Sequence, residues 1–127
     1  MYRPLKYYSD EFMKNINNRA REIMSYMYPA VTMYEDNGYI GIEADLPGFD
    51  RNNIRVTLEK NAIVIRADRE IKPEGTVFEN QRPDKVFKRM SLPLEVDREQ
   101  DFTARYTDGV LSLRIPVKNV KTVKIEW

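Results

Sequence analysis

The chain has 127 residues, with 21 basic and 20 acidic side chains, a formal charge of +1, and neither cysteine nor histidine. That length implies one domain of roughly 100 residues plus extensions, large enough to bury a core without disulfides. The missing residue types exclude a thiol nucleophile, a thiolate metal site and a histidine base, and the balanced charge provides no overall field to draw in nucleic acid or an anionic membrane.

The first residues, Met1-Tyr2-Arg3-Pro4-Leu5-Lys6, lack the apolar stretch of a secretory signal. Asp10 and Glu11 are out of place in an organellar transit peptide. No apolar run approaches the ~20 residues of a membrane span. The expected location is cytoplasmic.

Residues from Ser9 to Met27 have the pattern of an amphipathic helix. The pattern predicts Ser9 as the N-cap, with Asp10 and Glu11 in the first turn, where the helix dipole favours anions. Phe12, Ile16, Ala20, Ile23 and Met27 recur at intervals of four and three, with Met13 and Met24 beside them. Pro29 ends the pattern. Two readings stand: a helix packed on its own domain, or an apolar arm that packs between subunits or against other proteins.

From Val31 the period changes to two. Val31-Thr32-Met33-Tyr34 reads as a strand and Glu35-Asp36-Asn37-Gly38 as a turn. Tyr39 to Ala44 returns as a strand, which Asp45-Leu46-Pro47-Gly48-Phe49 stops, because Pro47 cannot donate to a ladder and Gly48 permits a tight bend. Ile54 to Leu58 alternates cleanly. After Glu59-Lys60-Asn61, Ala62 to Ala67 is richer in β-branched residues and is expected to be more buried. Val86 to Leu92 is a further strand, ended by Pro93. Phe102 to Tyr106 and Val110 to Ile115 form a hairpin across Thr107-Asp108-Gly109, where the Asp-Gly pair supplies positive φ. Many short strands between turn signals indicate an all-β sandwich.

The stretch from Arg69 to Lys85 is longer than ordinary connections. Within it, Gly75-Thr76-Val77-Phe78-Glu79 has strand character. It is either a surface loop or a strand that pairs with the edge of a second copy.

Chemistry finds no foothold in these residues. The four serines, Ser9, Ser25, Ser91 and Ser112, have no nearby activating base pattern, and the five glycines are scattered singly rather than forming a phosphate loop. Glu35-Asp36, Asp45 and Asp50 fall on different turns, which is weak support for a metal site. Tyr7, Tyr8, Tyr26 and Tyr28 cluster near Arg3, Lys6 and Lys14, but aromatics are not interleaved with a basic stripe. No catalytic, cofactor or metal site is expected, and no nucleic-acid partner.

The tail leaves Pro116 without a turn back. On an extended chain Val123 and Ile125 point the same way and Lys124 the other. Two such aliphatic plugs bury about 3–5 kcal/mol of transfer free energy if both find pockets, and ordering the tail removes much of that. A contact of this kind is weak singly and strong when repeated by symmetry. The other reading is a last strand of the same subunit.

Four strings together resemble the α-crystallin domain family, the small heat-shock proteins, in their archaeal or microbial form. They are Ala44-Asp45-Leu46-Pro47-Gly48-Phe49, Met90-Ser91-Leu92-Pro93, Ala104 followed after three residues by Asp108-Gly109-Val110-Leu111, and the Val123-Lys124-Ile125 tail. The resemblance implies an immunoglobulin-like β-sandwich over residues 30–117, a helical arm at 1–29 and a C-terminal extension at 118–127. It further implies an ATP-independent holdase of the stress response that needs no cofactor, binds unfolding proteins and assembles from strand-swapped dimers into larger homo-oligomers. Gly75, Thr76, Val77, Phe78 and Glu79 match the swapped strand. Val123 and Ile125 match the oligomerisation hook. Ile54, Val56, Leu58, Thr103 and Arg105 match the groove that receives it. Phe12, Met13, Ile16, Ile23, Met24 and Met27 form the arm for clients and assembly. Two positions depart from the family pattern: Lys88 stands where many relatives have arginine, a change that forfeits bidentate pairing, and Val123 is one methylene smaller than the usual isoleucine. An adaptor sandwich that binds one specific peptide, as co-chaperones do, is the alternative function.

Overall fold

The computed structural model describes residues 27–118 and, in isolation, Arg19. Seven strands run in chain order: β1 (Val31–Asp36), β2 (Tyr39–Asp45), β3 (Ile54–Glu59), β4 (Ala62–Asp68), β5 (Lys85–Ser91), β6 (Thr103–Thr107) and β7 (Val110–Pro116), with a short 3-10 turn (Arg51–Asn53) before β3. They form two antiparallel sheets, β1-β2-β7-β6 and β3-β4-β5. This is the all-β sandwich expected from the period-two pattern. The amphipathic helix, with Phe12, Met13, Ile16, Ile23 and Met24, and the hook residues Val123 and Ile125 lie outside the described residues.

Local chemistry sets the hairpins. Asn37 and Gly38 have φ of 47° and 83°, and Asp108 and Gly109 have 54° and 77°. Positive φ at both central residues is the tight hairpin turn whose twist matches the flanking strands. Gly109 is required twice over, since a Cβ there would meet the Pro47 backbone at 3.0 Å.

The core forms where inward rows meet. Ile40, Ile42 and Ala44 of β2 and Leu111, Leu113 and Ile115 of β7 face Ile63, Ile65 and Ala67 of β4 across the interior, all buried. Strand β4 is the middle of its sheet and is buried over most of its length, as its β-branched composition predicts.

The chain between β5 and β6 crosses from one sheet to the other and is held by polar contacts. Asn61, in the β3–β4 turn, donates from Nδ2 to the Leu92 carbonyl at 3.2 Å and the Leu94 carbonyl at 2.8 Å. Its Oδ1 accepts the Val96 N–H at 3.1 Å. Beyond it, the Asp97 N–H bonds to the Pro116 carbonyl and the Lys118 N–H to the Glu95 carbonyl. The Asp97 carboxylate accepts from the Gln100 amide and the Glu99 N–H, and these bonds hold its pKa below the ordinary value.

The long connection after β4 is closed at its neck, where the Arg69 N–H donates to the Asp84 carbonyl at 2.9 Å. The Arg69 guanidinium donates to the carbonyls of Pro83 and Pro47 and stacks over the Phe49 ring at 4.2 Å. Gly48, at φ 83°, leaves room for it: a Cβ there would come within 2.6 Å of Arg69 Nη1. Between these pins Gly75 to Glu79 forms no strand with its own chain. Val77 is 51% exposed and Phe78 95%.

Candidate functional site

Each sheet of a sandwich ends in strands with one unpaired edge. Among the described residues those are β1 and β6 in one sheet and β3 and β5 in the other. An unpaired edge offers backbone donors and acceptors to an incoming strand.

The β3 edge has the chemistry of a receptor for aliphatic groups. Ile54, Val56 and Leu58 stand opposite Ala67, Ile65 and Ile63 of β4, and so share the inward face. Ile63 and Ile65 are fully buried, whereas all three β3 residues remain half-buried while packing against the same core. The strand therefore presents an uncovered apolar row, continuous with the interior.

The start of this row is tied to β6. The Tyr106 hydroxyl bonds to the Leu46 carbonyl and, at 3.1 Å, to the Phe49 carbonyl, both in the segment that leads into β3. Replacing Tyr106 with phenylalanine keeps the ring and leaves both carbonyls without that donor. The expected loss is about 1–2 kcal/mol, or roughly 4–15 °C in melting temperature for a domain of this size, checked by thermal denaturation followed by circular dichroism.

The structure separates the groove residues that the resemblance groups together. Thr103 and Arg105 pair with Arg114 and Ser112, on the outward face of their sheet. Ala104 and Tyr106, paired with the buried Leu113 and Leu111, are the β6 residues on the inward face; Ala104 is exposed at this edge and Tyr106 is half-buried. Ile54, Val56 and Leu58 share one face as expected. Met27, the one described residue of the six apolar arm positions, is 71% exposed.

Register also places Lys88 and its neighbour Arg89 on opposite faces. Lys88 pairs with Ile65 and is directed inward at the β5 edge, and Arg89 pairs with Val64 on the outer face. Near the neck of the long connection, burial raises the Tyr28 phenol above its ordinary pKa, against the pull of the Arg69 guanidinium. Among the described residues, no group of three or more carboxylates is placed to hold a metal ion, and no helix is long and apolar enough to cross a membrane.

This sandwich is shared with known proteins. The pattern of the Hsp20/alpha crystallin family matches residues 32–126. A probable 15 kDa heat shock protein of Leptospira interrogans is 31% identical over 107 residues, which cover 84% of this chain and 82% of that one. The 18 kDa antigen 1 of Mycobacterium intracellulare is 38% identical over 80 residues, 60% of this chain, and the match spans about half its length, 52%. Among solved structures, a mutant of hsp14.1 from Sulfolobus solfataricus P2 superposes with a TM-score of 0.76 at 36% identity, covering 92% of this chain and 96% of that one. The chain belongs to the Hsp20/alpha crystallin family, the small heat-shock proteins.

Proposed function

We propose that the protein is an ATP-independent holdase that covers apolar surface on unfolding proteins and is stored in assemblies built through its own open edges. The observation that carries the proposal is the half-buried row Ile54, Val56 and Leu58 beside an unpaired strand edge. Such a row matches a short extended segment with aliphatic side chains two residues apart, which is the spacing of Val123 and Ile125. Ala104 and Tyr106 form the other side of the groove, in place of Thr103 and Arg105.

The second contact is the segment Gly75 to Glu79 of one copy pairing with an edge strand of another. Phe78 and Val77 are exposed in the single chain, although each buries about 1.5–3 kcal/mol when covered. A two-fold exchange buries each of them twice. Changing both Val77 and Phe78 to aspartate is expected to weaken the dimer at least about a hundredfold and to leave the melting of the sandwich unchanged, because neither side chain contributes to its core. Native mass measured over a dilution series checks this.

The function itself is tested by aggregation. Several unrelated proteins are heated with the full chain, without ATP, and light scattering is recorded. Suppression of all of them near equal subunit ratio is the expected result. Protection of one target alone would support a peptide-specific adaptor, and no protection would refute the holdase.

A further inference from the structure

The outer face of the β3-β4-β5 sheet carries a feature that neither the hook groove nor the dimer strand uses. Arg55 of β3 and Arg66 of β4 are directly opposed, and Phe87 of β5 is the next residue in the same cross-strand row. Arg89 lies two residues along from Phe87 on the same face, in the row of Thr57 and Val64. Like charges directly opposed destabilise a sheet. Nevertheless, among the described residues none of Arg55, Arg66 and Arg89 is ion-paired to a carboxylate.

The surroundings sharpen the pattern. Arg66 sits over the Phe87 ring at 4.9 Å, and Phe87 remains 54% exposed. Val64 faces outward yet has no exposed surface, so longer neighbours lie across it. Lys85 is a fourth cation on this face. The carboxylates present are Glu59 at one end and Asp68 at the other, where Asp68 stands opposite Lys85. The centre is thus three guanidiniums around one open aromatic ring, on a chain whose formal charge is only +1.

We infer that this face binds single-stranded nucleic acid, with a base stacked on Phe87 and phosphates held by Arg55, Arg66 and Arg89. The near-neutral total charge hides the site, because the local field comes from residues far apart in sequence that register brings together. Two forks side by side at Arg55 and Arg66 suit the several acceptor oxygens of a phosphate, which adjacent arginines can share. Diagonal neighbours such as Arg66 and Arg89 are about 7–8 Å apart at their Cα atoms, a span that long side chains bridge to successive phosphates. An exposed ring on a flat sheet is the platform on which bases stack without sequence preference. An acidic protein segment would satisfy the arginines but leave the ring without a planar partner.

The test uses the full chain and a labelled single-stranded oligothymidylate, followed by fluorescence anisotropy at several salt concentrations. Three phosphate contacts predict a slope of about −2 for log affinity against log salt. Changing Arg55 and Arg89 to glutamine should weaken binding about tenfold or more at low salt and flatten the slope to about −0.7. Changing Phe87 to serine should weaken binding about tenfold and leave the slope unchanged, because stacking releases no counterions. Melting temperature and native mass serve as folding controls, since these side chains are exposed. The inference is overturned by the absence of saturable binding at low salt, by insensitivity to all three substitutions, or by polyglutamate displacing the oligonucleotide as well as unlabelled oligothymidylate does.

Discussion

Replacing Asn61 with alanine is expected to destabilise the sandwich by about 2–4 kcal/mol, more than any other polar substitution considered. One amide holds three backbone groups of the segment that carries the chain from one sheet to the other: the carbonyls of Leu92 and Leu94 and the N–H of Val96. Each such bond contributes about 0.5–1.5 kcal/mol net. The cost is felt at the core, because Leu92 and Val96 are themselves buried. Against a total stability of about 5–15 kcal/mol this is a large fraction, and it corresponds to roughly 8–30 °C in melting temperature. Aspartate at this position keeps the acceptor for Val96 but loses both donors and sets a charge against two carbonyls, so it should not rescue. A denaturant titration of the two variants checks both statements. A loss below about 0.5 kcal/mol in the alanine variant would show that the crossover is held by its apolar contacts alone.

The hairpins were legible because their causes are local. Asn37-Gly38 and Asp108-Gly109 announce positive φ from two adjacent letters, and the structure has it at all four residues. The burial of β4 was legible from its run of β-branched residues. The staple at Asn61 was not, because its partners lie 31–35 residues away and an asparagine in a turn already has a local explanation. The facing of β6 is set by register. Alternation says which residues share a face but not which face is inward, and that depends on pairing with Leu111 and Leu113. The same limit concealed the arginine cluster, since Arg55, Arg66 and Arg89 become neighbours only once three strands are in register. Gly75 to Glu79 has strand character in sequence and forms no strand in the single chain. Within the single chain it has no ladder to join, and strand character alone does not make a strand without one.

The tail hook predicts the second large effect. If Val123 and Ile125 of one copy occupy the Ile54, Val56 and Leu58 row of another, every particle larger than a dimer depends on that contact. The described core is built from residues 40–115, so removing residues 120–127 should leave the fold intact and delete the contact from all copies at once. Weak sites repeated by symmetry are lost together, and the change is cooperative rather than graded. The most direct measurement is therefore the native mass of the full chain beside that of the chain lacking residues 120–127. The account predicts particles many times the 15.1 kDa subunit for the first and dimers for the second. Equal masses for the two, or a stable monomer for the full chain at high concentration, would contradict it.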